Sequence, residues 1–382
     1  MTAATLAVAP SVSYLCLQVS TEGQASFAHV HEIIDGLRRR GCAVQLFEPA
    51  IGNRAPVGIA EKLWSFATAQ LRLWRNSGHC DAIYIRAHPL ALPTLLWARI
   101  VGIPVVSELN STYEDIFSIY PWTRLFRPLI HAVGYVTLAG SDAIVTVSDG
   151  LRRWVLDKVP GHGVHVVPNG ANVEAFHPVR GQTGAAYGTY ILFFGAMSPW
   201  QGIRTLLAAA THPAWPDDVQ LVFVGDGVLR SEIETAAQQN GRVRHLGRKP
   251  YLELANYIGD ALAAVSPQTG TQEGVDDASQ RKELRAHFSP LKMYETLACG
   301  VPMIVSDFPG QAELVRRHEC GIVVPPSDPA AIAAAVKELA ANPNNAQAMG
   351  ERGRVAVVRE HSWQHRADET LSVIHAVIDN HG

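Results

Sequence analysis

Residues 289–307 read Ser-Pro-Leu-Lys-Met-Tyr-Glu-Thr-Leu-Ala-Cys-Gly-Val-Pro-Met-Ile-Val-Ser-Asp, and they carry the fold in miniature. Pro290 suits the first turn of a helix that runs to Ala298. Pro302 to Val305 follows as a short apolar run bounded by turn residues, which reads as a buried strand. At the helix start the amides of Ser289, Leu291 and Lys292 lack partners inside the helix and suit an anion such as a diphosphate. Lys292 and Glu295 lie three apart on one helical face, where a carboxylate one turn beyond a phosphate site could bind ribose hydroxyls. The same spacing describes a surface ion pair worth roughly a few tenths of a kcal/mol, and the local residues alone favour that plainer reading.

The helix–strand alternation extends in both directions. Strands are expected at Val12 to Val19, Val44 to Phe47, Ala82 to Ile85, Pro104 to Leu109, Ala143 to Val147 and Val164 to Val167. Phe27, Val30, Ile33, Ile34 and Leu37 share one helical face, and Gly41 ends that helix. Pro168 to Tyr187 carries Pro168, Gly170, Pro178, Gly181 and Gly184 without a sustained period, so it reads as a domain linker. A second series then gives strands at Tyr190 to Phe194, Gln220 to Val224, Val243 to Leu246, Leu262 to Ser266, Pro302 to Val305 and Ile322 to Val324. Helices are expected at Pro329 to Ala341 and from about Trp363 to Ile378. The rhythm is α/β: two doubly wound parallel sheets, each covered by helices, with ligands expected at the carboxyl ends of the strands.

Composition narrows the function. The chain has 382 residues, 47 % hydrophobic and 18 % charged, with a net charge of −3. Two packed domains are within reach, and no basic field invites nucleic acid. The five cysteines are scattered, with no CxxC pair, so reduced core thiols are expected rather than disulfides or a zinc site. The start, MTAATLAVAP, lacks the basic opening of a signal peptide, and no run approaches the roughly 20 apolar residues of a membrane span. A cytoplasmic protein is expected, at most at the inner face of the membrane.

Three loops follow strands directly. Ser20 to Ser26 contains Gly23, Phe193 to Gly202 contains Gly195 and Gln201, and Val224-Gly225-Asp226-Gly227 repeats the pattern. Each lets a ligand approach backbone at a helix N-terminus, and each serves equally as a tight turn. No GxGxxG occurs, so the nicotinamide fingerprint is absent.

Several segments together resemble glycosyltransferase family 4. They are Val166 to Asn172 (VVPNGAN), Phe194 to Ala208, Leu221 to Glu232 (LVFVGDGVLRSE), Ser289 to Asp307, Gly321 to Pro329 (GIVVPPSDP) and His361-Ser362-Trp363. The matches run in order along almost the whole chain. The resemblance implies a GT-B fold: two Rossmann-like domains facing a central cleft, with the acceptor in the first and a nucleotide-sugar donor in the second. It divides the chain into 1–170, a linker at 171–188, a donor domain at 189–360, and a helix at 361–382 that returns to the first domain. It also implies retention of anomeric configuration, no cofactor and no catalytic metal, so Asp276-Asp277 reads as a solvated pair.

By position, Glu295 matches the glutamate that binds the ribose, and Phe288, Ser289, Pro290 and Leu291 match the segment holding diphosphate and sugar. Gly23 matches the glycine loop facing the diphosphate, and Arg248 and Lys249 match the turn beside the base. Three departures from the family pattern matter. His287 stands where a first glutamate is frequent. Ala196 and Gln201 stand where an arginine and a lysine flank the diphosphate. Asn110, after Glu108-Leu109, stands where a histidine is frequent, and can hydrogen-bond a sugar but cannot act as a base. A leaving diphosphate needs charge stabilisation, so Lys292 is the expected replacement, with Arg285 or Arg281 in the long polar loop next. That loop is expected to fold over bound donor.

The acceptor is open: a glycan, a lipid-linked sugar or a small molecule, in envelope or polysaccharide synthesis. Trp64, Phe66, Leu71, Arg72, Trp74 and Arg75 form one aromatic–basic stretch, and Tyr120, Trp122, Arg124, Phe126 and Arg127 another. The first reads as a helix packed on its own sheet, and the second is balanced between that and peripheral membrane contact. A UDP-sugar is the first expectation for the donor and a GDP-sugar the second. A nucleotide-sugar epimerase of the same layout and a non-catalytic relative are the rival readings.

Overall fold

The computed structural model describes residues 9–19, 24–50, 58–182, 184–269 and 289–381. They fall into two units, one of Met1–Pro168 with Arg366–Gly382 and one of Asn169–His365.

In the N-terminal unit β1 (Ser11–Cys16), α1 (Ala25–Arg39), β2 (Ala43–Phe47), α2 (Ile59–Asn76), β3 (Ala82–Arg86) and α3 (Leu92–Val101) alternate without a break. Then come β4 (Val105–Leu109), α4 (Glu114–Ile119), α5 (Arg127–Ala139), β5 (Ala143–Thr146), α6 (Asp149–Lys158) and β6 (Val164–Val166). The six strands form one parallel sheet in the order β2-β1-β3-β4-β5-β6. β1, β3 and β4 are buried almost throughout, which is why they read as continuous apolar runs rather than alternating ones.

The C-terminal unit holds α7 (Gly184–Tyr187), β7 (Thr189–Ala196), α8 (Ile203–Ala210), β8 (Val219–Asp226), α9 (Arg230–Gln239) and β9 (Val243–His245). It continues through α10 (Leu254–Gly259), β10 (Ala263–Ser266), α11 (Leu291–Ala298), β11 (Met303–Ser306), α12 (Gln311–His318) and β12 (Gly321–Val324). α13 (Pro329–Ala341), α14 (Pro343–Glu360) and α15 (Trp363–His381) close the chain. Its strands also form one parallel sheet, ordered β12-β11-β10-β7-β8-β9. All twelve expected strands are present. Their ends shift by a residue or more, because apolar runs do not mark where pairing stops.

Both sheets are doubly wound. The strand order reverses between β1 and β3 in the first and between β7 and β10 in the second. At such a switch point the two crossovers leave in opposite directions and open the carboxyl edge to a ligand. Residues 171–188 are tied to the second unit: Ala171 bridges to Ser362, and Phe176 lies fully buried against Tyr251. Most of α15 belongs to the first unit, where Asp368 accepts from Arg40 and His381 lies 3.7 Å from Asp142. All five cysteines are free, and four are buried. No helix among the described residues is long and apolar enough to cross a membrane.

Candidate functional site

At the switch point of the C-terminal sheet the loop after β7 is pressed against the segment after β10. Thr269 donates its amide to the Trp200 carbonyl at 3.0 Å. Gly202 sits at φ +75°, and a Cβ there would lie 1.9 Å from the Pro267 carbonyl oxygen. Gly225 at φ +136° would likewise drive a Cβ to 2.1 Å from the Gly195 carbonyl. Only glycine permits both the backbone angle and the approach, so the ends of β7 and β8 close up behind the loop.

Lys292, in the first turn of α11, runs its side chain into this corner. Its Nζ donates to Gln201 Oε1 at 2.9 Å and lies 4.0 Å from the centroid of the Phe193 ring. A Cβ on Gly195 would stand 3.8 Å from the same Nζ. Lys292 is only 9 % exposed and Glu295 only 4 %, so the surface ion pair favoured by the local sequence is not what forms. Burial pulls the Lys292 ammonium down to about 7, with Glu295 pulling the other way. A buried lysine with a lowered pKa beside a helix N-terminus marks a candidate anion site.

Glu295 lies one turn along, and its Oε1 accepts from the Tyr251 hydroxyl at 2.7 Å. Ser289 is fixed by Asn169, whose amide donates to Ser289 Oγ at 3.1 Å and whose side chain donates to the Ser289 carbonyl. Pro290 is the N-cap of α11 and Leu291 its first residue. Arg248 lies 3.4 Å from Asp226 at the end of β8, and Lys249 stands over the Tyr257 ring. Gly195, Gln201 and Lys292 are thus brought together, with Leu291 and Glu295 on the same helix and Ser289 and Pro290 leading into it. Gly23, His287, Phe288, Arg281, Arg285 and Asp276-Asp277 lie outside the described residues.

Asn110 belongs to the N-terminal unit and to a network the sequence reading did not find. Glu108, buried near the end of β4, accepts from Tyr84 at 2.7 Å and lies 2.7 Å from His29 and 3.3 Å from Arg86. Asn110 Nδ2 donates to the same carboxylate. Arg86 Nε in turn donates to Gln18 Oε1 at 2.9 Å, across the β1/β3 switch point. The available signal was one charged residue in a buried strand, Val105–Leu109. Tyr251 and Asn169 were also missed as partners of Glu295 and Ser289.

Burial alone would raise the Glu108 pKa, but its contacts with His29, Arg86 and Tyr84 bring it down to about 2. The carboxylate therefore stabilises the fold above its ordinary range near 4.5, and that contribution is lost as pH falls toward 2. Glu108→Gln is expected to cost about 3 kcal/mol at pH 6, because it leaves the buried Arg86 guanidinium without its anion. Urea unfolding of both proteins should show the difference narrowing between pH 4.5 and pH 2.

Among the described residues, one trio has side-chain atoms close enough to share a metal ion: His318, Glu360 and His361. Arg317 already stands 3.4 Å from Glu360 and neutralises that carboxylate.

Comparison with known proteins bears on the family and the fold. A family model described as glycosyl transferases group 1 matches residues 188–342, and one described as Glycosyltransferase Family 4 matches residues 27–175. The chain is 25 % identical to a phosphatidyl-myo-inositol mannosyltransferase of Mycobacterium leprae over 371 residues, 92 % of each chain. It is 25 % identical to a glycogen synthase of Mycobacterium tuberculosis, covering 90 % of this chain and 81 % of that one. The structure of sucrose-phosphate synthase from Thermosynechococcus elongatus superposes with a TM-score of 0.77 at 19 % identity, over 97 % of this chain and 100 % of that one. Anabaena Alr3699/HepE in complex with UDP and glucose gives a TM-score of 0.69 at 14 % identity, over 96 % and 100 %. At these identities the structural likenesses speak to the fold.

Proposed function

The chain belongs to the glycosyltransferases of group 1 and family 4, with the GT-B fold, and on that footing we propose that it transfers sugar from a nucleotide-sugar donor held by its C-terminal unit. The observation that carries this reading is Lys292: a buried lysine at the sheet switch point, bonded to Gln201, with Glu295 one turn further on. That trio suits a nucleoside diphosphate: Lys292 and the first amides of α11 for the phosphates, Glu295 for the ribose hydroxyls. Lys292 supplies the charge that Ala196 and Gln201 do not.

In the reaction the bond between the anomeric carbon and the phosphate oxygen breaks, and the electron pair leaves with the diphosphate. Lys292 and the helix amides stabilise that developing charge, with no metal ion in the scheme. The acceptor hydroxyl enters on the face the phosphate leaves, so configuration is retained, and its proton passes to the departing phosphate. Gly195 and Gly225 keep backbone close to the phosphates, while Arg248 and Lys249 flank the base. Asn110 offers a hydrogen bond to a sugar hydroxyl.

UDP is the first choice of nucleotide, supported by the UDP in the Anabaena structure, and GDP the next. Relatives named for a phosphatidyl-inositol and for glycogen make a lipid-linked or glycan hydroxyl the acceptor of choice. The test is to incubate the protein with UDP-, GDP-, ADP- and dTDP-sugars in EDTA and assay the freed nucleoside diphosphate. One donor should be turned over slowly even with water as acceptor. Epimerised donor without release would instead mark an isomerase, and inertness toward all four a non-catalytic relative.

A further inference from the structure

The search for an unassigned feature leads to the surface of the N-terminal unit. Of the nineteen large apolar side chains that stand exposed among the described residues, fifteen belong to this unit. They are not scattered. The solvent-facing residues of α5 include Leu129, Ala132, Val136 and Ala139, spaced as one helical stripe and all apolar. α3 packs beside α5 and turns Leu96 and Ile100 outward, the latter 84 % exposed. The 3-10 turn Pro121–Phe126 leads into α5 and exposes Trp122, Phe126 and Leu125, the last at 86 %. Lys62 on α2 donates to the Tyr120 hydroxyl at 3.3 Å, which joins the exposed start of α2, including Trp64, to this surface. A helix of a water-soluble domain normally turns its polar face outward. α5 and most of the outer face of α3 instead expose apolar residues, on elements that pack against one another.

The charges say what fits. No acidic residue occurs between Ile116 and Ser141 or between Pro89 and Ser107, whereas Arg99, Arg124 and Arg127 do, and at the start of α2 the exposed Glu61 stands beside Lys62. Arg99 is held at the edge by the Gly140 carbonyl at 3.0 Å, and Arg127 stands 2.9 Å from Glu114. An apolar centre with a cationic rim matches a bilayer interface, where the rim meets anionic headgroups and the centre enters the acyl boundary. A second copy of this chain would bring the same positive rim against itself, which is unfavourable.

We propose that the outward faces of α3 and α5, with the Trp122–Phe126 turn and the start of α2, dock the protein on an anionic lipid surface. The helices lie in the interface without crossing it. Half of the first aromatic stretch is packed as expected, since Trp74 stacks on Trp97 and bonds Thr94, but Trp64 at 69 % exposure belongs to the docking surface. This inference stands on the surface itself and not on the transfer reaction, because vesicle binding is read without turnover.

The test is sedimentation of the full chain with phosphatidylcholine vesicles, with and without phosphatidylglycerol. The wild type should pellet with the anionic vesicles only, and added salt should release it. The triple variant Ile100→Gln/Leu125→Gln/Leu129→Gln alters only exposed side chains and should lose about tenfold or more of the partitioning. Val228→Gln/Leu252→Gln, on exposed positions of the other unit, should bind like the wild type. The proposal is overturned if the wild type ignores anionic vesicles or if the triple variant binds them equally well. It is also overturned if light scattering finds a dimer that the triple variant dissolves while neither protein binds lipid.

Discussion

Lys292→Met is expected to lower turnover about 100- to 1000-fold, while raising the melting temperature of the donor-free protein near neutral pH. The activity loss follows from removing the cation that the proposed reading sets against the leaving diphosphate. The stability gain follows from burial, which holds the ammonium near pH 7 instead of its ordinary 10.5. Between those values the unfolded chain keeps the proton and the folded chain gives it up, so stability rises with pH across that window. Below about pH 7 the folded protein carries the full cost of a buried charge. Methionine removes that cost but leaves Gln201 without its donor, so the net gain is on the order of 2 kcal/mol at acid to neutral pH. It should shrink as pH rises toward 10. Thermal melts of both proteins from pH 6 to pH 10 check the sign. The same titration acts on binding. An anion beside Nζ restores the ammonium, so nucleotide binding above pH 7 takes up a proton and weakens by up to about tenfold per pH unit. The methionine variant should lose that dependence.

Glu295→Ala is expected to weaken nucleoside diphosphate binding about 10- to 100-fold, the range for losing charge-assisted hydrogen bonds to two ribose hydroxyls. Its position is fixed from the protein side: Tyr251, packed edge-on against the buried Phe176, donates to Oε1. Glu295→Gln keeps the shape and an acceptor, so it should fall between wild type and alanine. Because Glu295 also raises the Lys292 pKa, the two substitutions should not add independently. Calorimetric titration with nucleoside diphosphate across the single and double variants measures that coupling.

The fold was legible because buried parallel strands demand unbroken apolar runs, and glycine and proline punctuate them. What the runs could not give was spatial neighbourhood across strands. The Glu108 network draws on residues 29, 84, 86, 108 and 110, which become neighbours only once the order β2-β1-β3-β4 is set. The site was legible in part. The helix start at Pro290 could be read from the sequence, and Pro290 is the N-cap of α11. The burial of Lys292 could not, because nothing in the 289–307 stretch says that its stem runs beneath Gln201 and over Phe193. Periodicity likewise fixes that α5 has two faces but not that its solvent face is apolar. Leu129 and Val136 look like core residues until the sheet is seen to lie on the other side.

The most direct measurement is the melting temperature of the wild type and of Glu295→Ala against UDP, GDP, ADP and dTDP in EDTA. A ligand that binds only the folded protein raises it by mass action. A donor site at α11 predicts that one of the four raises the wild-type melting temperature without metal and that Glu295→Ala loses the rise. No rise with any nucleotide, or an equal rise in both proteins, would contradict it.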